Sequence, residues 1–99
     1  MARDIYRYTF GEQVDFADVE TTLVLAVIAA ESLHGASKTR LDAAHLCDAE
    51  ARVCVIDAAT DVGRHLNQLF TGYLIREFGA EAFEVCRLEA DVTVELNQG

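Results

Sequence analysis

The sequence predicts an α+β domain in which two helices cover one face of a four-stranded antiparallel sheet. Three observations predict it. Two long segments carry apolar residues at helical spacing, each between a capping start and a glycine stop: residues 17–34, and a run opening at Thr60 or Asp61 and reaching Phe78. Residues 5–10 instead change character at every second residue, the period of a strand, and residues 52–57 hold a short β-branched-rich apolar run of strand length. Asp48-Ala49-Glu50-Ala51 then separates two apolar runs by the length of a hairpin connection, although it lacks the glycine of the tightest turns.

Taken in order, residues 5–10 place Tyr6, Tyr8 and Phe10 on one side of a first strand, an aromatic inner face. Gly11 to Asp15 is a polar turn. Asp15 or Asp18 can cap the first helix, because a short carboxylate accepts from its first free amides. Gly35 can close it in the left-handed conformation. Its sheet-facing residues are Val19, Leu23, Ala26, Val27, Ala30 and Leu33. A polar link, 36–38, leads to a second strand over 39–47 and a third over 52–57. A symmetric hairpin there sets Leu46 opposite Val53, Ala44 opposite Val55 and His45 opposite Cys54. The second helix packs through Val62, Leu66, Leu69, Phe70 and Tyr73. Gly63 and Gly72, each about 1 kcal/mol worse than alanine in a helix, suggest close backbone contacts. Residues 81–88 supply a fourth strand. Residues 1–90 thus make one domain, and 91–99, alternating through Val92, Val94 and Leu96, make a fifth strand or a frayed end.

Strand, helix, strand, strand, helix, strand resembles the ferredoxin-like split βαβ architecture, which implies the sheet order 4-1-3-2. The resemblance is to an architecture, and so many activities share it that it implies no particular function.

The first helix has a second message. Val24, Leu25, Ile28 and Ala29 lie off its sheet-facing stripe, and a helix apolar all round is normally buried all round. Its uninterrupted apolar run, 23–30, is far short of the roughly 20 residues of a membrane span. A chain of 99 residues has trouble wrapping one helix on every side, so a second subunit is the simplest cover. Leu74 and Ile75 similarly lie off the inner stripe of the second helix. The expected interface is therefore Val24, Leu25, Ile28, Leu74 and Ile75. The strands following the first helix carry Leu41, Ala43, His45, Cys47, Cys54 and Ile56, or their alternates, on the sheet's second face, and neither set is strongly polar. That points the same way, to a homodimer of two-fold symmetry.

Composition narrows the classes. At 52% apolar residues the chain is not of the disordered type. A net charge of −9 argues against nucleic-acid backbone and anionic membranes as partners, and the acidic residues are too dispersed for a nucleic-acid mimic. Three cysteines in apolar company read as reduced thiols, which fits a cytoplasmic protein, and no signal-peptide core opens the chain.

Candidate chemistry is sparse. His45, Cys47 and Cys54 are soft-metal ligand types near one another, but they lack a Cys-x-x-Cys knuckle, so no metal or cofactor is expected. Cys54 with His45 as base is a weak nucleophile pair, being mid-strand in an acidic protein. The turn from Asp57 to Arg64 and His65 could hold a small anion at a helix start, against the repulsion of Asp57 and Asp61. Asp42 and Asp57 could meet at the open end of the hairpin. The leading expectation is a self-associating binding domain with no catalytic residues. The alternative is a small-molecule- or metal-binding domain or enzyme, with a pocket between sheet and partner using His45, Cys54, Asp57 and Arg64.

Overall fold

The computed structural model describes residues 4–89. The expected fifth strand at 91–99 lies outside the described residues. Four strands, β1 (Asp4–Phe10), β2 (Ala44–Asp48), β3 (Val53–Asp57) and β4 (Phe83–Glu89), form one antiparallel sheet. Its order is β2-β3-β1-β4, which read from the other edge is the expected 4-1-3-2. Helices α1 (Phe16–His34) and α3 (Asp61–Phe78) pack against one face, and a short α2 (Ala36–Asp42) follows α1.

The helix ends form where the capping residues dictate. Asp15 accepts from the Ala17 amide at 3.0 Å, and Gly35, at φ 90°, returns its N–H to the Glu31 carbonyl. Thr60 Oγ1 accepts from the Gly63 amide at 2.9 Å, and Gly79, also at φ 90°, returns its N–H to Ile75. Gly63 is required by packing: a Cβ there would overlap the Asp57 carbonyl oxygen. Gly72 is different. A Cβ there would meet only open space, so no contact within the described chain explains it.

The core joins Tyr8 and Phe10 of β1 and Cys54 and Ile56 of β3 to Val19, Leu23 and Ala26 of α1 and Leu66, Phe70 and Leu74 of α3. Tyr8 packs edge-on to Phe70 at 5.0 Å. Its buried hydroxyl sits between Asn67 Oδ1 and Thr71 Oγ1, the latter at 2.6 Å. Burial pushes the Tyr8 phenol up to about 12.

Three expectations are corrected here. Residues 39–47 are not one strand: 36–42 form α2, and the strand begins at Ala44. The apparent alternation of Thr39, Leu41 and Ala43 arises from a helix too short to display its period. Thr39 is buried, Leu41 is exposed, and Lys38 bonds Asp42 one turn on at 3.2 Å. Leu33, expected inside, lies exposed in the last turn of α1.

The third correction concerns the hairpin. Its closing pair is Asp48 with Val53, so Leu46 faces Val55, Ala44 faces Asp57, His45 faces Ile56 and Cys47 faces Cys54. Arg52 belongs to the loop, at φ 59°, a left-handed position that normally favours glycine. Its guanidinium explains the exception. It donates to the carbonyls of Gly11 (2.6 Å), Val14 and Phe10, tying the hairpin to the turn between β1 and α1. Asp48 Oδ1 meanwhile accepts from the Glu50 and Ala51 amides and organises the loop.

Candidate functional site

α1 and α3 run antiparallel on the sheet, and their outer surfaces form one continuous face. Along α1, Ala17, Thr21, Val24, Leu25, Ile28 and Ser32 follow one another at helical spacing without a charged residue. Val24, Leu25 and Ile28 are 56%, 53% and 52% exposed, and Ile75 on α3 is 47% exposed. Between the helices runs an open groove of about 420 Å³, lined by Thr22, Leu25, Ile28 and Ala29 of α1 and by Tyr73, Arg76 and Glu77 of α3. Gly72 is also exposed, one turn from Ile75 and Arg76. Of the five residues expected at an interface, Leu74 is not available: it is fully buried, on the sheet side of α3. A helix stripe broad enough to include Phe70 and Leu66 sweeps Leu74 inward as well.

The opposite face of the sheet is uncovered by helix among the described residues. Strand alternation sets Ala44 and Leu46, Val53 and Val55, and Ile5 and Leu88 there, the alternates of the set that the helices cover. Arg7 stands exposed in the middle of this face, and Asp48 and Glu84 close one end. It is thus apolar but interrupted by charge. The α1 stripe is not.

The residues expected around a ligand pocket do not converge. His45 and Asp57 line a shallow hollow of about 220 Å³ with Ile5, Ala44, Leu46 and Val55, below the usual size of a small-molecule site. Cys54 is buried in the core and lines no part of that hollow. Arg64 pairs with Asp61 on its own helix. Asp57 accepts from the Ala59 amide, and the Gly63 amide is taken by Thr60, so the start of α3 is already capped by its own side chains. Asp42 ends α2, bonded to Lys38 and without Asp57 opposite it. Among the described residues no group of three or more His, Cys, Asp or Glu is placed to hold a metal ion, and no helix is long and apolar enough to cross a membrane.

The fold creates two pairings that the sequence does not announce. Cys47 and Cys54 are directly opposite on adjacent strands, with their sulfurs 2.7 Å apart and both thiols free. The contact with the Cys54 sulfur holds Cys47 below the ordinary thiol range, against burial and the Glu20 carboxylate. The same contact, then burial, push Cys54 well above it. His34 and His65 form the second pair, their rings stacked at 4.8 Å and Nε2 of His34 lying 2.6 Å from Nδ1 of His65. The antiparallel arrangement of α1 and α3 was the available signal for it, since it brings the end of one helix to the start of the other. Compared with protein-family models, with characterised proteins and with solved structures, the chain gives no match.

Proposed function

We propose that the chain is a ferredoxin-like domain that self-associates as a two-fold homodimer and works by binding, without catalysis of its own. The observation that carries this reading is the uncharged stripe Val24, Leu25 and Ile28 on α1, half exposed along with Ile75. An interface that meets its own copy across a two-fold axis must be self-complementary, and an apolar stripe free of charge satisfies that at every position. Gly72 adds support: an exposed mid-helix glycine costs about 1 kcal/mol relative to alanine, and open space at its Cβ leaves room for a second backbone to approach. The strand order supports the ferredoxin-like assignment, and an odd number of cysteines in apolar company favours a cytoplasmic setting.

Native mass spectrometry of the purified protein at low micromolar concentration tests the reading. A bare dimer is the expected result. A monomer at all accessible concentrations overturns self-association, and a copurifying small molecule or metal overturns the reading of a domain without a ligand site.

A further inference from the structure

Cys47 and Cys54 stand apart from the helix face, on the inner side of the sheet where β2 is an edge strand. They occupy opposed ladder positions, the one arrangement in which two neighbouring strands bring their side chains closest. Their sulfurs are 2.7 Å apart, so forming a bond requires only a small approach and no rearrangement of the backbone. The two thiols also differ in access. Cys47 is half-buried at the sheet edge, whereas Cys54 is sealed beneath the helices. An incoming oxidant can therefore reach one sulfur and not the other.

We propose that Cys47 and Cys54 are a reversible dithiol–disulfide site that reacts with low-molecular-weight disulfides of the glutathione type, Cys47 attacking and Cys54 resolving. In the first step the Cys47 thiolate attacks one sulfur of the oxidised thiol, forming a mixed disulfide and releasing the other half as a thiolate, which takes up a proton. In the second the Cys54 thiol gives up its proton and attacks Cys47 Sγ, expelling the second half as a thiol. The sum is two protein thiols plus one external disulfide giving one protein disulfide plus two external thiols. Access assigns Cys47 as the attacker, since an external disulfide must reach the attacking thiolate and Cys54 is fully buried. The product would pin the edge strand β2 to β3 across the hairpin.

The test uses the full chain carrying Cys86→Ser, which removes the exposed third thiol as a route to intermolecular crosslinks. The protein is equilibrated with mixtures of reduced and oxidised glutathione, alkylated, and analysed by intact mass and peptide mapping. The expected result is loss of two hydrogens, a crosslink between residues 47 and 54, and full reversal by excess reduced glutathione. Cys54→Ala should instead accumulate a glutathione adduct at Cys47, and Cys47→Ser should accumulate none at Cys54. Two free alkylatable thiols in excess oxidised glutathione, or a Cys47 adduct that never resolves in the Cys86→Ser protein, would overturn the proposal.

Discussion

Replacing Ile28 by aspartate tests the helix interface most directly. Fully burying an aliphatic side chain contributes about 1.5–3 kcal/mol. Val24, Leu25, Ile28 and Ile75 are each close to half exposed, so covering what remains of them yields ~1 kcal/mol apiece. Over both copies that is ~8 kcal/mol from these four positions alone, before the rest of the covered area is counted. Ile28→Asp withdraws ~2 kcal/mol of that burial and leaves a carboxylate in each half of a desolvated seam, at a cost of several kcal/mol. A combined loss of at least ~4 kcal/mol raises Kd about a thousandfold. Within one copy the same change touches a side chain already 52% exposed, so the folded monomer should lose less than ~1 kcal/mol. Sedimentation equilibrium over a range of concentrations gives Kd, and circular dichroism with urea unfolding separates dissociation from unfolding. The expected outcome is a folded monomer, while Leu46→Asp on the open sheet face leaves the dimer intact. An Ile28→Asp protein with the wild-type Kd would refute the assignment, and dissociation by Leu46→Asp alone would move the interface to the sheet.

The other expectations concern individual positions. Gly63→Ala drives a methyl group into the Asp57 carbonyl and should cost ~1–3 kcal/mol by chemical denaturation. Gly72→Ala, facing open space, should raise the stability of the monomer by up to ~1 kcal/mol yet weaken the dimer, a divergence that urea titration and Kd measured together will reveal. Arg52→Ala removes the bonds to Gly11 and Val14 while keeping the left-handed backbone, so it should destabilise by ~2–4 kcal/mol; Arg52→Gly should recover ~1 kcal/mol of that loss. Tyr8 titrates near 12 when folded and near 10 when unfolded, so its contribution is fully present below pH 10 and is lost as pH rises towards 12. The stability difference between wild type and Tyr8→Phe should shrink over that window by up to ~2 kcal/mol. Oxidation of Cys47 and Cys54, by closing an eight-residue loop, should stabilise the folded chain by ~2.5 kcal/mol on the loop-entropy scale, measurable as a rise in Tm.

The elements with long periods or strong stops were legible in the sequence. Asp15 and Gly35 bound α1, and Thr60 and Gly79 bound α3, because cap chemistry is local and needs no tertiary information. The aromatic side of β1 was legible as alternation, and the sheet order followed from the order of elements. α2 was not legible. Seven residues hold only two helical turns, and Thr39, Leu41 and Ala43 mimic a strand until the packing of Thr39 decides the matter. Leu74 was misplaced for a related reason: the width of a buried helix stripe is set by what lies beneath it, and here Phe70 and Leu66 widen it. The exposed apolar residues of α1 were legible as a surplus the domain could not bury, though Leu33 was wrongly placed on the buried side.

The hairpin shows how one residue outside the usual rules redistributes a candidate site. Arg52 takes the left-handed position that the sequence offers no glycine for, and its guanidinium is held by carbonyls from a turn some forty residues earlier. Those bonds are tertiary, so nothing within residues 48–53 announces them. Moving Arg52 from strand to loop shifts the pairing by two residues, an even number, and so leaves every side chain on its own face. The grouping of strand residues by face therefore survived while the partners changed: His45 lost Cys54 to Cys47, and the set holding Cys54 and Ile56 lies under the helices, with its alternates on the open side. A grouping that looked like weak metal or nucleophile chemistry became two sulfurs in contact, one reachable and one sealed. The thiol-exchange proposal and the Arg52 substitutions are for this reason linked. Arg52→Gly keeps the left-handed turn accessible and should retain closure between Cys47 and Cys54, whereas a variant that restores the other register would separate the sulfurs and abolish the crosslink without altering either cysteine.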